Sequence, residues 1–225
     1  MSRLKFYDED HRYELDSIEI PSVSEISRFA SREVYTNDIS KYTLDNAKER
    51  GTAVHKATEL LDTVGKCEIA PEYSGYINSY ISFRQDFNIK TYLFIEKSIA
   101  DDNAENSYAG TLDRVYEIDN DFIKAVKKHC KVDISDKLGQ LAIIDLKTSS
   151  SVQKVLAQIQ LPAYANLIET NKIGDVGLVG ILHLKNNGKY KLYPYDTNME
   201  LFNACLILHK AFIKKSKGRV KNGKS

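Results

Sequence analysis

Cysteine, proline and long apolar runs are all scarce in this sequence of 225 residues, and each scarcity excludes something. The three cysteines, Cys67, Cys130 and Cys205, lie far apart and never in Cys-x-x-Cys spacing. That excludes a disulfide framework, a zinc ribbon and an iron–sulfur cluster. Four prolines and eleven glycines, beside 42% apolar and 28% charged residues, exclude fibrous and disordered classes and leave a packed domain. No apolar run is long enough to span a bilayer, and Met1-Ser2-Arg3-Leu4-Lys5 has no apolar signal core. The expectation is therefore a soluble, cytoplasmic protein with no membrane partner. Internal repeats and low-complexity segments are absent, and the length suits one domain over 1–225.

Charge is balanced overall at +1, yet unevenly spread. Lys210, Lys214, Lys215, Lys217, Arg219, Lys221 and Lys224 stand without an acid in residues 209–225, leaving the rest of the chain at −6. A basic tail beside an acidic body suits a protein that holds a metal with carboxylates and neutralises phosphates with lysines. A merely solvated tail gives the same pattern. The tail also contains Gly218 to Ser225, which fits Gly-x-x-x-x-Gly-Lys-Ser. A phosphate-binding loop of that type needs a strand before it and a helix after it, and the sequence stops at Ser225, so no ATP site is expected.

Hydrophobic spacing predicts the elements. Leu4, Phe6, Tyr13, Leu15, Ile18 and Ile20 alternate around an acidic turn and predict an N-terminal hairpin within 1–24. Ser22 or Ser24 is placed to cap a helix with Glu25 in its first turn. A helix is expected over 41–50, broken by Gly51, with Thr52 capping another up to Gly65. Residues 71–87 read as a helix opened by Pro71. Strands are expected at 91–99, 108–118 and 141–146, while 119–140 fits either a helix or an extended hairpin. Val152 to Glu169 reads as a helix that Pro162 must start or kink. Asn186-Asn187-Gly188 joins two further strands, and an amphipathic helix follows over about 198–214. This order gives an α/β fold with a central mixed sheet flanked by helices.

Chemistry concentrates on one strand. Side chains alternate along Leu141-Ala142-Ile143-Ile144-Asp145-Leu146-Lys147, so Asp145 and Lys147 share one face and Leu146 faces the other. Alone, such a pair reads as a salt bridge. Gly110-Thr111-Leu112-Asp113 supplies a second acid on a neighbouring strand, with small residues that permit close approach. Asp113, Asp145 and the Leu146 carbonyl make a partial oxygen shell for Mg²⁺ or Mn²⁺. Lys147 could then orient or deprotonate a water and stabilise charge on phosphate. His55 and Glu59, four residues apart, share a helix face that could turn to these acids, although His55 alone fits a structural role. Glu96 lies within a strand, where the plain reading is surface exposure. Gln160 and Tyr164, one helical turn apart, form a polar pair that could contact Lys147, water or phosphate. Thr148, Ser149 and Ser150 could donate to phosphate or cap the following helix.

The order Gly-x-x-x-His (Gly51 to His55), Gly-x-x-Asp (Gly110 to Asp113), Asp-x-Lys (Asp145 to Lys147) and Gln-x-x-x-Tyr (Gln160 to Tyr164) resembles the RecB-like branch of the PD-(D/E)XK nucleases. The match spans about residues 50–170. His11-Arg12-Tyr13 followed by Pro21-Ser22-Val23 resembles the opening of phage-type and mitochondrial single-strand DNA exonucleases of that group. The resemblance implies a restriction-endonuclease-like core and a catalytic region over 50–170. It also implies metal ligation by His55, Asp113, Asp145 and Leu146, a catalytic Lys147, and substrate-side support from Gln160 and Tyr164. Glu59 and Glu96 are additional candidates. The implied activity is Mg²⁺- or Mn²⁺-dependent hydrolysis of DNA, single strands included, by an exonuclease of recombination, repair or phage DNA processing. Leu112 stands where the family name has proline, and Asp145 where glutamate is common. The alternatives are a catalytically idle nucleic-acid-binding protein on the same fold and a site-specific endonuclease.

Overall fold

In the computed structural model, the apolar run before Asp145 becomes the middle strand of a five-stranded sheet. The structure describes residues 3–7, 9–28, 30–31, 40–103 and 106–221, the last nine by their backbone alone. The strands are β4 (Phe94–Asp101), β5 (Tyr108–Glu117), β6 (Leu141–Lys147), β7 (Val176–Leu184) and β8 (Tyr190–Tyr195), in that spatial order. β6 and β7 are parallel and every other neighbouring pair is antiparallel, so the sheet is mixed. The parallel pair needs a crossover, supplied by α5 (Lys154–Thr170).

Alternation along β6 builds a core on each face. Ile143 packs among residues of α1 (Val23–Ile26), α5 and α6 (Glu200–Lys221). Ala142, Ile144 and Leu146 pack on the other side among α2 (Lys41–Val64), α3 (Ser74–Asp86) and α4 (Asn120–Cys130). A strand buried on both sides reads as a continuous apolar run, which is what the sequence shows. A second sheet, β1 (Leu4–Tyr7), β2 (Arg12–Leu15) and β3 (Ile18–Ile20), packs Tyr13 and Ile20 against Ala100 and Ala109 of the main sheet. Ser22 bridges Ala109 directly, fixing the small sheet to β5.

The expected α/β fold with a central mixed sheet and flanking helices is therefore what the chain adopts. Several local readings change. Residues 41–64 form one helix, capped by the Ser40 hydroxyl and ended by Gly65 at φ 80°, and it runs straight through Gly51 and Thr52. One interior glycine costs about 1 kcal/mol against alanine, which the packing of Val54 and Ala57 outweighs. The expected N-terminal hairpin gains a third strand. Ser22, not Ser24, caps α1 by accepting from the Glu25 N–H at 2.9 Å. Pro71 opens a 3₁₀ turn, Pro71–Tyr73, before α3 begins. Residues 120–130 are helical, with the Asp119 side chain as cap and Lys131 at φ 62° as stop. α5 passes through Pro162 as one element, so Pro162 starts no new helix. Helix α6 extends to Lys221, which turns most of the basic tail into helix and puts helix, not strand, before Gly218. Residues 222–225, the rest of the loop-like motif, lie outside the described residues. Among the described residues, no helix is long and apolar enough to cross a membrane.

Candidate metal centre

Four elements converge where β4, β5 and β6 meet the middle of α2. His55 projects from α2 with Nδ1 at 3.4 Å from Glu96 Oε1 and 3.7 Å from Asp113 Oδ1. Its Nε2 lies 3.2 Å from the Leu146 carbonyl oxygen. One ligand atom from each of His55, Glu96 and Asp113 can be chosen so that all lie within 4.8 Å of one another. Asp113 is held by its other oxygen, which accepts the Leu146 N–H at 2.6 Å. Beside them, Lys147 Nζ lies 2.5 Å from Asp145 Oδ2. As the alternation of β6 requires, Asp145 and Lys147 share this side while Leu146 is wholly buried on the other.

Glu96 is the member that sequence reasoning placed on the surface, and its backbone shows why that reading fails. It adopts φ 45°, the left-handed region that a residue with a Cβ seldom occupies. Its neighbours Ile95 and Lys97 still pair with Arg114 and Leu112 of β5. The carboxylate lies within reach of His55 and accepts from Arg114 Nη1 at 3.0 Å. Strained backbone of this kind is retained where surrounding structure enforces it.

Behind Glu96 lies a network that went unseen in the sequence. Arg114 is completely buried and donates to Asp62 Oδ2 at 2.6 Å, to the Thr58 hydroxyl at 3.0 Å and to the Asp113 carbonyl at 2.6 Å. Asp62 also accepts from the Tyr80 and Tyr92 hydroxyls, at 2.6 and 2.5 Å. The one available signal was a cation inside the apolar run of β5, because a buried charge must find a partner.

The electrostatics of the open cluster are unbalanced. Burial raises the pKa of Asp113, and the Glu96 charge adds to it, against the opposing pull of His55 and Lys147. Asp145 is raised as well, first by burial and then by Asp113, with Lys147 opposing. Burial alone would depress the His55 imidazole, but the Asp113 charge and the Glu96 contact outweigh it and carry its pKa up to about 9. Both ring nitrogens face acceptors, an arrangement that the doubly protonated imidazolium satisfies. Acids crowded with too little positive charge are what a bound cation would relieve. One imidazole with carboxylate oxygens is a donor set that suits Mn²⁺ and, through the oxygens, Mg²⁺.

These residues floor a cleft of about 540 Å³, which Glu59, Gly110, Thr111 and Tyr164 also line. Part of its wall comes from Phe6, His11 and Tyr13 of the N-terminal hairpin, so the cleft draws on residues well before position 50. Glu59 sits on the same helix face as His55 and is ion-paired to Lys56 at 2.8 Å. Gly110 lets Tyr164 approach, since a Cβ there would stand 2.7 Å from Tyr164 Cε1. Burial, then Asp145 and Asp113, push the Tyr164 phenol well above its usual pKa, so it stays neutral.

Gln160 and Tyr164 line different cavities, and Lys147 lines both. Gln160 donates to the Ser27 hydroxyl at 3.0 Å and opens on a separate cavity of about 260 Å³, shared with Lys147, Ser149 and Ser151. The serines after β6 do not cap α5, whose N-cap is Gln153. Within the metal-ligand set expected from sequence, His55 and Asp113 come together with Glu96. Asp145 stands beside them engaged with Lys147, and the Leu146 carbonyl faces the imidazole.

No family model matches the chain, and no curated protein does. Among solved structures, the chain is similar to a candidate exonuclease from Eubacterium rectale at 14% identity, over 92% of this chain and 82% of that one, with a TM-score of 0.48. It is also similar to a protein designated SSO0001, at 14% identity over 84% of each chain, with a TM-score of 0.38.

Proposed function

We propose that this chain is a Mg²⁺- or Mn²⁺-dependent nuclease of the RecB-like PD-(D/E)XK type, hydrolysing DNA phosphodiester bonds as an exonuclease in recombination, repair or phage DNA processing. The observation that carries the reading is the convergence of His55, Glu96 and Asp113 within 4.8 Å, on the floor of a cleft that also holds Asp145 and Lys147.

His55, Glu96 and Asp113 would hold the cation, with Asp145 and the Leu146 carbonyl completing the oxygen side. A bound divalent ion supplies Lewis acidity toward a phosphoryl oxygen and lowers the pKa of water. Asp145 fixes Lys147 at the cleft, where the ammonium can hold the attacking water and donate to charge developing on the phosphate. Glu59 stands at the rim, within reach of a water or a second ion. Tyr164 lines the same cleft as Asp145, and Gln160 shares the adjoining cavity with Lys147. The excess of acid in the cleft requires that phosphate enters only with its counter-cation, which makes activity metal-dependent.

Lys147→Ala and Asp145→Ala proteins are expected to fold and to lose cleavage of end-labelled DNA in Mg²⁺ by about 100- to 1,000-fold, the cost of removing one charge-stabilising group. Undiminished cleavage in both would sink the assignment. A closed circular substrate left uncut separates an exonuclease from an endonuclease.

A further inference from the structure

The aromatic wall of the cleft belongs to neither the metal cluster nor the main core. Phe6 and Tyr13 are directly paired across β1 and β2, with ring centroids 4.8 Å apart and tilted by 33°. His11 stands edge-on to both, 5.1 Å from Phe6 at 87° and 5.7 Å from Tyr13 at 86°. Two rings thus form a floor and the third an upright wall. Tyr13 is buried, Phe6 is half-buried and His11 is exposed. His11 also holds φ 52°, in a turn position where glycine or asparagine is the comfortable choice. An exposed ring that lines a polar cleft, edge-on to two others, is placed to meet a ligand.

Its distance from the reacting centre has a suitable scale. The Tyr13 hydroxyl hydrogen-bonds Thr111 Oγ1 at 2.7 Å, and Thr111 lies two residues before Asp113 on β5, roughly 7 Å along the strand. On the opposite side of the small sheet, Arg12 is already engaged, stacked over Tyr7 at 4.1 Å and ion-paired to Asp10 at 3.1 Å. The side facing the cleft therefore offers π-surface.

Resting on the nuclease reading, we propose that His11, on its Phe6–Tyr13 floor, is a stacking subsite for a nucleobase next to the phosphodiester bound at the metal centre. Stacking of this kind tolerates any base but needs one free of its own neighbours. The subsite therefore takes a single strand or a frayed end and rejects an intact duplex.

The test uses the full-length protein in Ca²⁺ with a single-stranded dodecamer carrying 2-aminopurine, and a blunt hairpin of the same sequence. Wild type is expected to quench the single-strand fluorescence and to bind the hairpin more weakly. His11→Gly relieves the left-handed backbone, so thermal stability should hold or rise. Single-strand affinity should nevertheless fall about tenfold, the usual worth of one stacked base. His11→Trp should restore both affinity and quenching, and Mn²⁺ binding should be the same in all three proteins. Equal single-strand affinity for wild type and His11→Gly, in an enzyme that cleaves DNA with Mn²⁺, overturns the subsite and leaves the nuclease reading standing. Failure of wild type to bind or cleave either substrate overturns both.

Discussion

Asp113 and Arg114 are neighbours on one strand, yet they belong to opposite electrostatic worlds. Arg114 points into a sealed pocket where Asp62, Thr58 and Tyr80 meet its donors, and Tyr92 and Arg84 complete the shell of Asp62. Asp113 points into an open cleft where three acids share His55 and Lys147, and its pKa and that of Asp145 are raised. Glu96 belongs to both, accepting from Arg114 while facing His55. The sealed group is neutralised by its own partners and serves stability. The open group is left short of positive charge, and that deficit is what a cation and a phosphate can use.

The largest expected effect breaks the sealed side. Arg114→Met leaves Asp62 buried without its main cation and should cost about 3–5 kcal/mol in urea unfolding. Next comes metal binding itself, which sharpens the open side. In the metal-free protein His55 titrates near 9 against 6.5 for a free histidine, so its contribution to stability is full below 6.5 and is lost as pH rises through 9. The raised pKa values of Asp113 and Asp145 act in the same direction, since their protons are held more tightly in the folded chain. A metal must displace the His55 proton, so Mn²⁺ should stabilise the protein more at pH 8.5 than at pH 6. At one hundred times its Kd the gain is about 2.7 kcal/mol, read as a Tm shift that EDTA reverses. Equal shifts at both pH values would remove the proton competition. The smallest effect is the most contrasting: Asp113→Asn, which relieves repulsion without metal, should leave stability within about 1 kcal/mol of wild type or raise it. A loss matching that of Arg114→Met would erase the distinction between the two groups.

What could be read from sequence follows how local each signal is. The β6 run and its Asp-x-Lys end, the Asn-Asn-Gly hairpin with Gly188 at φ 78°, and the Ser22 cap are all encoded within a few residues. The fold class follows from such signals, whereas His55 is joined to Asp113, Asp145 and Lys147 only by the resemblance that the order of the four motifs carries; all four line one cleft. Continuity of α2 through Gly51 is decided by the packing of Val54 and Ala57 against the sheet, which no local propensity contains. Glu96 is brought to the site by a backbone twist within β4 that alternation cannot anticipate. Asp62 and Arg114 stand 52 positions apart, and nothing in either neighbourhood names the other. The spacing of Gln160 to Tyr164 puts both on one helix face, but α5 sits so that the two open on different cavities.

Diffraction from a crystal soaked in Mn²⁺, at the manganese absorption edge, addresses the metal centre most directly. The expected result is an anomalous peak bonded to His55, Glu96 and Asp113, lost in Asp113→Ala crystals. Well-ordered crystals at saturating Mn²⁺ with no peak among these side chains would contradict the assignment.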